Sequence, residues 1–267
     1  MPDFLNDRSL QIQKKIMKSD RIFLFLDYDG TLVSFKQKPT DVTTPQHVKN
    51  IIRQLIKNQK VTVIIVTGRP LQEIRKLLHI RGLSFIALHG LSIKTPNESE
   101  YSWDQATQAR LLVKAIKNDM QEKLKDEKRA FLEDKELTLV LHYRLLPSNK
   151  ARLLREAFKT TVRTLDKNRI LEIMNGAKVI EARPKGWNKG KAVELFLAGH
   201  DKGKIILPIY IGDDYTDEDA FRVLKKRGIT IHVVNTSKRK TAARYWVNNP
   251  DEVFSFLQFL HQQLTQN

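Results

Sequence analysis

The sequence lacks cysteine, long apolar runs and internal repeats. The absence of cysteine excludes disulfides and thiolate chemistry and fits a reducing compartment. No apolar run approaches the roughly 20 residues that a membrane-spanning helix needs. The N-terminal residues 1–15 include acidic side chains and have no apolar segment of the kind found in secretory signals. These absences predict a cytoplasmic protein with no membrane partner.

Acidic residues are scarce relative to basic ones. The chain has 47 Lys and Arg against 30 Asp and Glu, which gives a net charge of +17. Such a charge can indicate nucleic-acid binding through phosphate contacts. However, the basic residues are spread over every segment, and the densest cluster, Lys238–Lys240, is short and has no aromatic stacking motif beside it. We therefore predict a solvated basic surface that attracts small anions, without a nucleic-acid partner.

The residues that are present, 267 in all, suit a folded globular protein, with 41% hydrophobic and 29% charged side chains. The run Ile22–Leu26 has the composition of a strand buried on both faces, and Asp27, Asp29 and Gly30 come directly after it. Such a strand delivers the residues after it to the carboxyl edge of a parallel sheet, where α/β proteins bind ligands. Two carboxylates this close repel each other unless a cation lies between them, and Mg²⁺ prefers such oxygens.

Two further strands end in polar residues. The run Val61–Val66 leads into Thr67, Gly68 and Arg69, followed by Pro70 and a predicted helix to Leu78. A hydroxyl and a glycine ahead of a helix N-terminus form a potential anion site. A third strand, predicted over residues 85–88, ends in His89, for which structural and functional roles are equally open.

The middle of the chain has a different pattern. A helix is predicted over residues 105–125, followed by an alternating, half-exposed antiparallel strand pattern around Leu137–Leu141. A second helix is predicted over residues 148–165, with Ser148 as its N-cap and Leu153 among its inward residues. Two short strands come next, with Asn175-Gly176 as their hairpin turn. Residues 105–184 are thus predicted to be an α+β module inserted into a parallel-sheet domain formed by 1–104 and 185–267.

The parallel pattern resumes after this module. Lys189 lies between glycines ahead of a helix predicted over Lys191–Leu197, where it can neutralise a phosphate or carboxylate, although a solvated lysine is also possible. The buried run Ile205–Ile211 then ends in the acidic cluster Asp213–Asp219. A helix N-terminus explains some of these carboxylates. It does not explain Asp213 and Asp214, which favour a metal site shared with Asp27 and Asp29.

These motifs, in this order, resemble those of the haloacid dehalogenase superfamily of phosphohydrolases: DYDGTL, TGR, the glycine-flanked Lys189 and GDDYTDED. The resemblance covers the whole chain and implies an α/β, Rossmann-like parallel-sheet core with an inserted α+β cap of the C2 type. GDDYTDED, EARP with WNKGKA, the His89-Gly90 pair and EDK…HYR resemble trehalose-6-phosphate phosphatases in particular. One departure is Leu88, where that family often has Asn.

The resemblance implies a set of roles. Asp27 is expected to be the nucleophile that forms an aspartyl-phosphate, and Asp29 the acid and base. Mg²⁺ is expected on Asp27, the Asp29 carbonyl and Asp213, with Asp214 and Asp217 as candidates either for a further ligand or for residues that support the ligands. Thr67 is expected to bind a phosphoryl oxygen and Lys189 to balance charge. The implied substrate-binding residues are Gly68, Arg69, His89, Glu133, Lys135, Arg144, Glu181 and Asn188, while His142 is either a binding or a structural residue.

Three functions remain open at this point. The first is a Mg²⁺-dependent phosphatase for trehalose 6-phosphate, acting as a monomer. The second is a phosphatase for another sugar phosphate, such as mannosyl-3-phosphoglycerate or sucrose phosphate, with the same catalysis. The third is a basic binding protein without catalysis. The presence of both Asp27 and Asp29 disfavours the third, because a binding module has no need of the pair, and EDK…HYR favours trehalose.

Overall fold

The structure is a computed structural model that describes residues 3–4, 9–36, 41–96, 101–102, 105–176, 178–200, 203–235 and 239–265. The chain forms two compact units. The first comprises Met1–Tyr101 and Asn188–Asn267, and the second comprises Ser102–Trp187. Lys238 of the basic cluster and Asp104 at the predicted module boundary lie outside the described residues. Within the described ranges, no helix combines the length and apolar character needed to cross a bilayer.

The elements are numbered in chain order. The strands are β1 Asp3–Phe4, β2 Arg21–Asp27, β3 Val61–Val66, β4 Ser84–Ala87, β5 Ser92–Lys94, β6 Tyr101–Ser102, β7 Phe131–Asp134, β8 Leu139–His142, β9 Leu171–Gly176, β10 Val179–Pro184, β11 Ile206–Gly212, β12 Ile229–Val233 and β13 Tyr245–Val247. The helices are α1 Ser9–Lys18, α2 Gln46–Lys57, α3 Leu71–Leu78, α4 Ala106–Lys123, α5 Ser148–Leu165, α6 Lys189–Ala198, α7 Glu218–Leu224 and α8 Pro250–Thr265.

The first unit contains a sheet with the strand order β1-β13-β12-β11-β2-β3-β4-β5-β6. From β1 to β4, neighbouring strands are parallel, and β5 then pairs antiparallel with β4. The parallel core that the buried apolar runs predict is therefore confirmed. The short strands β1, β5, β6 and β13 and the helix α1 were not predicted, because they carry too few residues, or too weak a pattern, for a periodicity to be read.

Both faces of the central strands are buried, as their uninterrupted apolar sequences require. On β2, Leu24 and Leu26 belong to a core cluster that includes residues of α1, α2, α3 and α8. Phe23 and Phe25 belong to a second cluster with residues of α6 and α7. A helical layer thus covers each face of β2. Burying each such side chain contributes about 1.5–3 kcal/mol to stability, so the strand end that carries Asp27 is firmly held.

The second unit is an antiparallel sheet, ordered β7-β8-β10-β9, with two helices. One face of this sheet is apolar and buried, through Leu139, Leu141, Ile180 and Ala182. The helices α4 and α5 bury apolar residues of their own, namely Ala109, Val113, Ile116, Met120, Phe158 and Val162. The unit therefore has the α+β composition that the sequence pattern predicts.

Several local predictions for the second unit are wrong. Asn175 and Gly176 do not form the hairpin turn, because both are paired within β9, opposite Ile180 and Val179. The chain reverses two residues later, where Lys178 has a φ of 65°. The strands extend past the predicted turn because each further ladder pair satisfies more backbone groups.

Predictions about burial also need correction. Leu153 of α5 is exposed rather than inward, and Ser148 is the first helical residue after Pro147 and makes no capping bond. The strand β8 is not half-exposed, since Leu139, Val140 and Leu141 are all buried. It is a central strand, and Val140 lies between Glu133 and Glu181 on the flanking strands. The alternating pattern within β8 does not reveal that strands on both sides flank Val140 and bury it.

Candidate active site

Three strand ends bring the predicted polar residues to one edge of the first unit's sheet. Strand β2 lies between β11 and β3 and is parallel to both. Asp27 ends β2, Thr67 comes directly after β3, and Asp213 directly after β11. Since parallel strands share their carboxyl edge, the side chains that the sequence predicts together are brought together. Asp27 is 5% exposed and Thr67 is 1% exposed.

Lys189 is the buried cation of this site. It is the first residue of α6 rather than part of the loop before it, and it is 3% exposed. Its Nζ donates to Oδ1 of Asp27 and to Oδ1 of Asp217, each at 2.7 Å. Burial alone would lower the pKa of Lys189, but the carboxylates of Asp217 and Asp27 outweigh it and raise that pKa. The ammonium group therefore stays charged beside the predicted nucleophile.

Asp27, Asp213 and Asp217 form a carboxylate cluster with oxygen atoms within 4.8 Å of one another. Burial, opposed by Lys189 and reinforced by Asp217, raises the pKa of Asp27 to about 7. Burial and the neighbouring carboxylates Asp27 and Asp217 raise the pKa of Asp213 to about 9. One lysine does not compensate three carboxylates. The uncompensated charge and the hard oxygen donors fit a divalent cation at this position.

Asp217 is already saturated by hydrogen bonds. Its Oδ1 accepts from Lys189 and, at 2.6 Å, from the hydroxyl of Tyr210. Its Oδ2 accepts from the backbone N–H groups of Asp213 and Asp214, at 3.1 and 2.9 Å. A carboxylate has about four acceptor positions, and all four are used. Asp217 thus serves as an anchor for Lys189 and the turn, and Asp27 and Asp213 are the members of the cluster whose side chains have oxygens available to an ion.

Asp214 does not join the carboxylate cluster. Its side chain is exposed and accepts a 2.7 Å hydrogen bond from the backbone N–H of Tyr215. It also forms a reciprocal capping arrangement with Asp217 at the start of the short helical turn Tyr215–Asp217. Of the two further candidates for the ion, Asp214 lies outside the cluster and Asp217 lies within it but uses its oxygens elsewhere.

Asp29, the predicted acid and base, is held by Arg69. The guanidinium donates from Nε to Oδ2 and from Nη2 to Oδ1 of Asp29, both at 2.7 Å. Arg69 also pairs with Glu73 and lies over the ring of Tyr28. Burial lowers the pKa of Arg69, but its bonds with Asp29 more than reverse this effect. Asp29 is less buried than Asp27, and among the described residues each of its oxygens accepts one hydrogen bond, from Arg69.

Thr67 and Gly68, in the loop after β3, pack closely against His89, in the turn after β4. The hydroxyl of Thr67 accepts from the backbone N–H of Arg69 at 3.1 Å, and the Thr67 carbonyl accepts from the N–H of His89 at 3.0 Å. The His89 ring lies so close to Gly68 that a Cβ at that position would clash with it. Leu88 and His89 both have positive φ angles, 51° and 56°. The loop after β3 and the turn after β4 are therefore in direct contact at the sheet edge.

Asn188 caps a helix in the structure. Its Oδ1 accepts from the backbone N–H of Lys191 at 2.9 Å, which satisfies the first turn of α6. This cap fixes the start of the helix and with it the position of Lys189. A role of Asn188 in binding substrate stays a prediction.

Three residues at the site were missed by the sequence reasoning. Asn235 and Arg239 lie in the segment after β12, and both donate to Asp213. Tyr210 on β11 donates to Asp217. Asn235 could have been found, because it comes after a buried parallel strand as Asp27 and Asp213 do. The sequence around Tyr210, an apolar strand, gives no signal for its hydroxyl.

The predicted sugar-binding residues lie in the second unit. Glu133, Val140 and Glu181 are directly opposite one another on β7, β8 and β10, so Glu133 and Glu181 share one face of that sheet. Glu133 accepts from Nε2 of His142 at 2.9 Å, with Lys135 at 3.7 Å. The bond from His142 lowers the pKa of Glu133, whereas burial raises that of Glu181.

Arg144 is exposed in the turn after β8 and makes no ion pair among the described residues. Unlike Glu133 and Glu181, which lie within strands, Arg144 lies in a turn. Glu133 and Glu181 supply hydrogen-bond acceptors on one face of the sheet, and His142 and Lys135 supply donors beside Glu133. Sugar hydroxyls need both kinds of partner.

Comparison with known proteins gives consistent matches. A sequence profile described as Trehalose-phosphatase matches residues 25–251. The chain is 31% identical over 255 residues to probable trehalose-phosphate phosphatase D of Arabidopsis thaliana, covering 91% of this chain and 68% of the plant protein. The C-terminal domain of trehalose-6-phosphate phosphatase from C. albicans superposes with a TM-score of 0.78 at 24% identity, covering 98% of each chain.

A second solved structure, trehalose-6-phosphate phosphatase from Aspergillus fumigatus, superposes with a TM-score of 0.73 at 23% identity, covering 98% of this chain and 99% of the other. At these identities the two structures support the fold alone. That fold is the predicted α/β architecture with a parallel-sheet core and an inserted cap domain, which is thereby confirmed. The chain spans about two thirds of the length of the plant relative.

Proposed function

The chain belongs to the trehalose-phosphatase family, and from this premise we propose that it hydrolyses trehalose 6-phosphate to trehalose and inorganic phosphate. The observation that carries the proposal is the convergence of Asp27, Asp213 and Lys189 at one sheet edge, with Asp29 two residues beyond Asp27. This arrangement supplies a nucleophile, a cation and an acid in one place. Unaided hydrolysis of phosphate monoesters is among the slowest known reactions, so all three are needed.

The proposed reaction has two displacements at phosphorus. In the first, an oxygen of Asp27 forms a bond to phosphorus while the bond from phosphorus to the sugar oxygen breaks, and Asp29 gives its proton to that oxygen. In the second, Asp29 takes a proton from a water molecule, whose oxygen forms a bond to phosphorus while the bond from phosphorus to the Asp27 oxygen breaks, which releases inorganic phosphate and restores the Asp27 carboxylate. Lys189 and Thr67 contribute a charge and a hydroxyl to the phosphoryl oxygens.

A divalent cation fits this site, and we propose Mg²⁺. Asp27 and Asp213 would hold it with their side chains, together with the backbone carbonyl of Asp29. When bound, the ion supplies positive charge that draws the nucleophile and the phosphate together. The donors are all oxygen, which is the ligand type that Mg²⁺ selects. Asp217 supports the site by fixing Lys189, and we do not include it or Asp214 among the proposed ligands.

We propose that the second unit recognises the sugar, with residues 105–184 as the specificity cap and residues 1–104 and 185–267 as the phosphatase core. Glu133, Lys135, Arg144 and Glu181 would hydrogen-bond the hydroxyls of the disaccharide. Support comes from the shared sheet face of Glu133 and Glu181, from the lysine beside Glu133, and from the exposed guanidinium of Arg144. A monomeric state and a cytoplasmic location stay predictions, to be checked by light scattering and by cell fractionation.

The test is phosphate release from a panel of sugar phosphates with Mg²⁺ and with EDTA. We expect trehalose 6-phosphate to be the best substrate, and EDTA to abolish release. If sucrose phosphate or mannosyl-3-phosphoglycerate is preferred, the second sugar-phosphate function replaces the first. If no member of the panel is hydrolysed, the enzyme proposal fails, and salt-sensitive retention on nucleic acid would support the binding-protein alternative.

Two variants refine this test. Asp27→Asn should abolish turnover and leave the circular dichroism spectrum unchanged, whereas Asp251→Asn, an exposed change on α8, should retain full activity. Arg144→Ala should raise KM for trehalose 6-phosphate more than for an aryl phosphate, with the exposed Arg152→Ala on α5 as its control. Appreciable turnover by Asp27→Asn, or equal effects of Arg144→Ala on both substrates, would remove the corresponding role.

A further inference from the structure

Asn235 links two parts of the candidate active site that come from distant regions of the chain. It lies two residues after the end of β12, and its Nδ2 donates to the carbonyl of Gly30 at 2.9 Å and to Oδ2 of Asp213 at 3.2 Å. Gly30 belongs to the loop that carries Asp27 and Asp29, and Asp213 comes directly after β11. A single amide therefore spans the nucleophile loop and the second ion-binding carboxylate.

The backbone of Asn235 is fixed in the conformation that permits this link. Its φ is 55°, in the left-handed region, which asparagine tolerates better than most residues. Its N–H donates to the carbonyl of Asn248 at 2.8 Å, which ties the segment to the chain just beyond β13. The amide group is thus presented from a rigid position, and only a short side chain with two N–H donors can reach both acceptors.

The other contacts of Asp213 leave its side chain dependent on Asn235. The hydroxyl of Thr31 is 3.4 Å from Oδ1, a long hydrogen bond. Arg239 donates at 3.1 Å to the backbone carbonyl of Asp213, so it restrains the main chain and not the carboxylate. Gly30 lies so close to Asp213 that a Cβ there would clash with the carboxylate. Among the described residues, Asn235 therefore provides the shorter of the two side-chain hydrogen bonds to the carboxylate of Asp213.

We propose that Asn235 is a positioning residue that orients the carboxylate of Asp213 toward the divalent cation and holds it next to the loop that carries Asp27. This inference rests on the proposed function, because it assumes that the carboxylate cluster binds a cation. It adds a residue from a fourth strand end to the site. Groups that orient metal ligands typically change metal affinity by about 10–100-fold when they are removed.

The test compares Mn²⁺ binding to the full-length protein, measured by electron paramagnetic resonance without substrate. Asn235→Gly removes the amide and accepts the positive φ, so we expect Mn²⁺ binding about 10–100-fold weaker than in the wild type. Lys178→Gly is the matched control, because Lys178 is an exposed residue with a φ of 65° in the second unit. It should bind Mn²⁺ as the wild type does.

A second variant separates the amide from backbone strain. Asn235→Ala also lacks the amide, but its Cβ strains the left-handed backbone and should lower the melting temperature. If the amide matters, both variants lose Mn²⁺ affinity to the same extent. Wild-type Mn²⁺ affinity in Asn235→Gly would overturn the proposal, as would an absence of Mn²⁺ binding in the wild type.

The outcome is independent of which substrate is hydrolysed, because the measurement contains no substrate. If the wild type binds Mn²⁺ but releases no phosphate from any sugar phosphate, the proposed function fails while the role of Asn235 is still decided. If trehalose 6-phosphate is hydrolysed but Asn235→Gly binds Mn²⁺ normally, only the role of Asn235 fails.

Discussion

The aspartates around the candidate active site differ in the partners that surround each one. Asp27 is buried and Asp213 is half-buried, and both have raised pKa values and oxygens available to a cation. Asp217 is buried too, but four donors occupy its oxygens. Asp29 faces a guanidinium, and Asp214 faces backbone N–H groups. Chemically identical side chains thus receive different tasks from their hydrogen bonds.

The Arg69–Asp29 pair leads to a prediction at this scale. Arg69→Lys keeps the charge but cannot donate two bonds in the fixed geometry of a guanidinium, so Asp29 loses its orientation. Turnover of trehalose 6-phosphate, whose leaving sugar oxygen needs a proton, should fall roughly tenfold or more. Turnover of p-nitrophenyl phosphate should fall much less, because its leaving group departs as an anion. Steady-state kinetics with both substrates measure the difference.

The control for this variant is Arg75→Lys, an exposed change on α3, the helix that follows Arg69, which should alter neither rate. If Arg69→Lys lowers both rates equally, Arg69 does not act through proton donation by Asp29 to the leaving group. A rise in KM for both substrates, with kcat unchanged, would instead support direct binding of the phosphate by Arg69.

His232 makes stability depend on pH. This residue of β12 is buried, and burial, with the nearby Arg239, lowers its pKa, while Glu218 and Asp217 oppose the shift. Below about pH 6.5 the unfolded chain takes up a proton that the folded protein does not, so stability falls as the pH falls. One such proton changes the free energy of unfolding by up to about 1.4 kcal/mol per pH unit.

Urea unfolding at pH values from 7.5 to 5 tests this prediction. His232→Gln should have a shallower loss of stability than the wild type over that range. His47→Gln, at an exposed position on α2, should keep the wild-type slope. An unchanged slope in His232→Gln would assign the pH dependence to other groups.

At the residue scale, the sequence was most informative about polar residues that lie at the end of a predicted strand. Asp27 and Asp213 could be placed at one edge because each lies at the end of a buried apolar run. The task of Asp217 could not be predicted, since it depends on Tyr210 and Lys189, which only the folded chain brings to it. Arg69 was expected to bind substrate, and its pairing with Asp29 depends on two loops meeting in space.

At the element scale, the close packing of α6 on α7 controls where Lys189 lies. Gly190, the next residue, has the backbone oxygen of Asp219 2.7 Å from where its Cβ would be. Gly190→Ala should therefore push the helices apart and lower stability by about 1–3 kcal/mol, as measured by urea unfolding. Gly199→Ala at the other end of α6 meets nothing closer than 3.7 Å and should be nearly neutral. Equal unfolding midpoints would contradict this packing argument.

Among the elements, the long apolar runs predicted the central parallel strands correctly, because a strand buried on both faces needs apolar residues on both faces. Local signals were weaker guides. The Asn-Gly pair at 175–176 is a common turn sequence, yet the ladder of β9 and β10 continues through it. Leu153 matches the apolar period of α5 and is nonetheless 66% exposed. The period shows which side of a helix is apolar, but it does not show how much of that side the neighbouring elements cover.

At the scale of the whole molecule, the second unit has the features of an independent folding unit. It is a continuous segment with its own sheet, two helices and a buried apolar set. Residues 102–187 expressed alone should unfold cooperatively when heated, as followed by circular dichroism. In that segment, Phe158→Ala should cost about 3–5 kcal/mol, because Phe158 is fully buried, and exposed Leu153→Ala should cost little. A featureless melt of the unaltered segment would show that it needs the rest of the chain.

The order of strands in the first unit has a consequence during synthesis on the ribosome. Strand β2 is made early, and β3 emerges soon after it, but the neighbour on its other side, β11, emerges only after the whole of residues 102–187. Until then β2 of the nascent chain has an unpaired, strongly apolar edge, and such edges make a chain prone to aggregate. Translation speed and chaperone supply should therefore govern the soluble yield of this protein more than its final stability does.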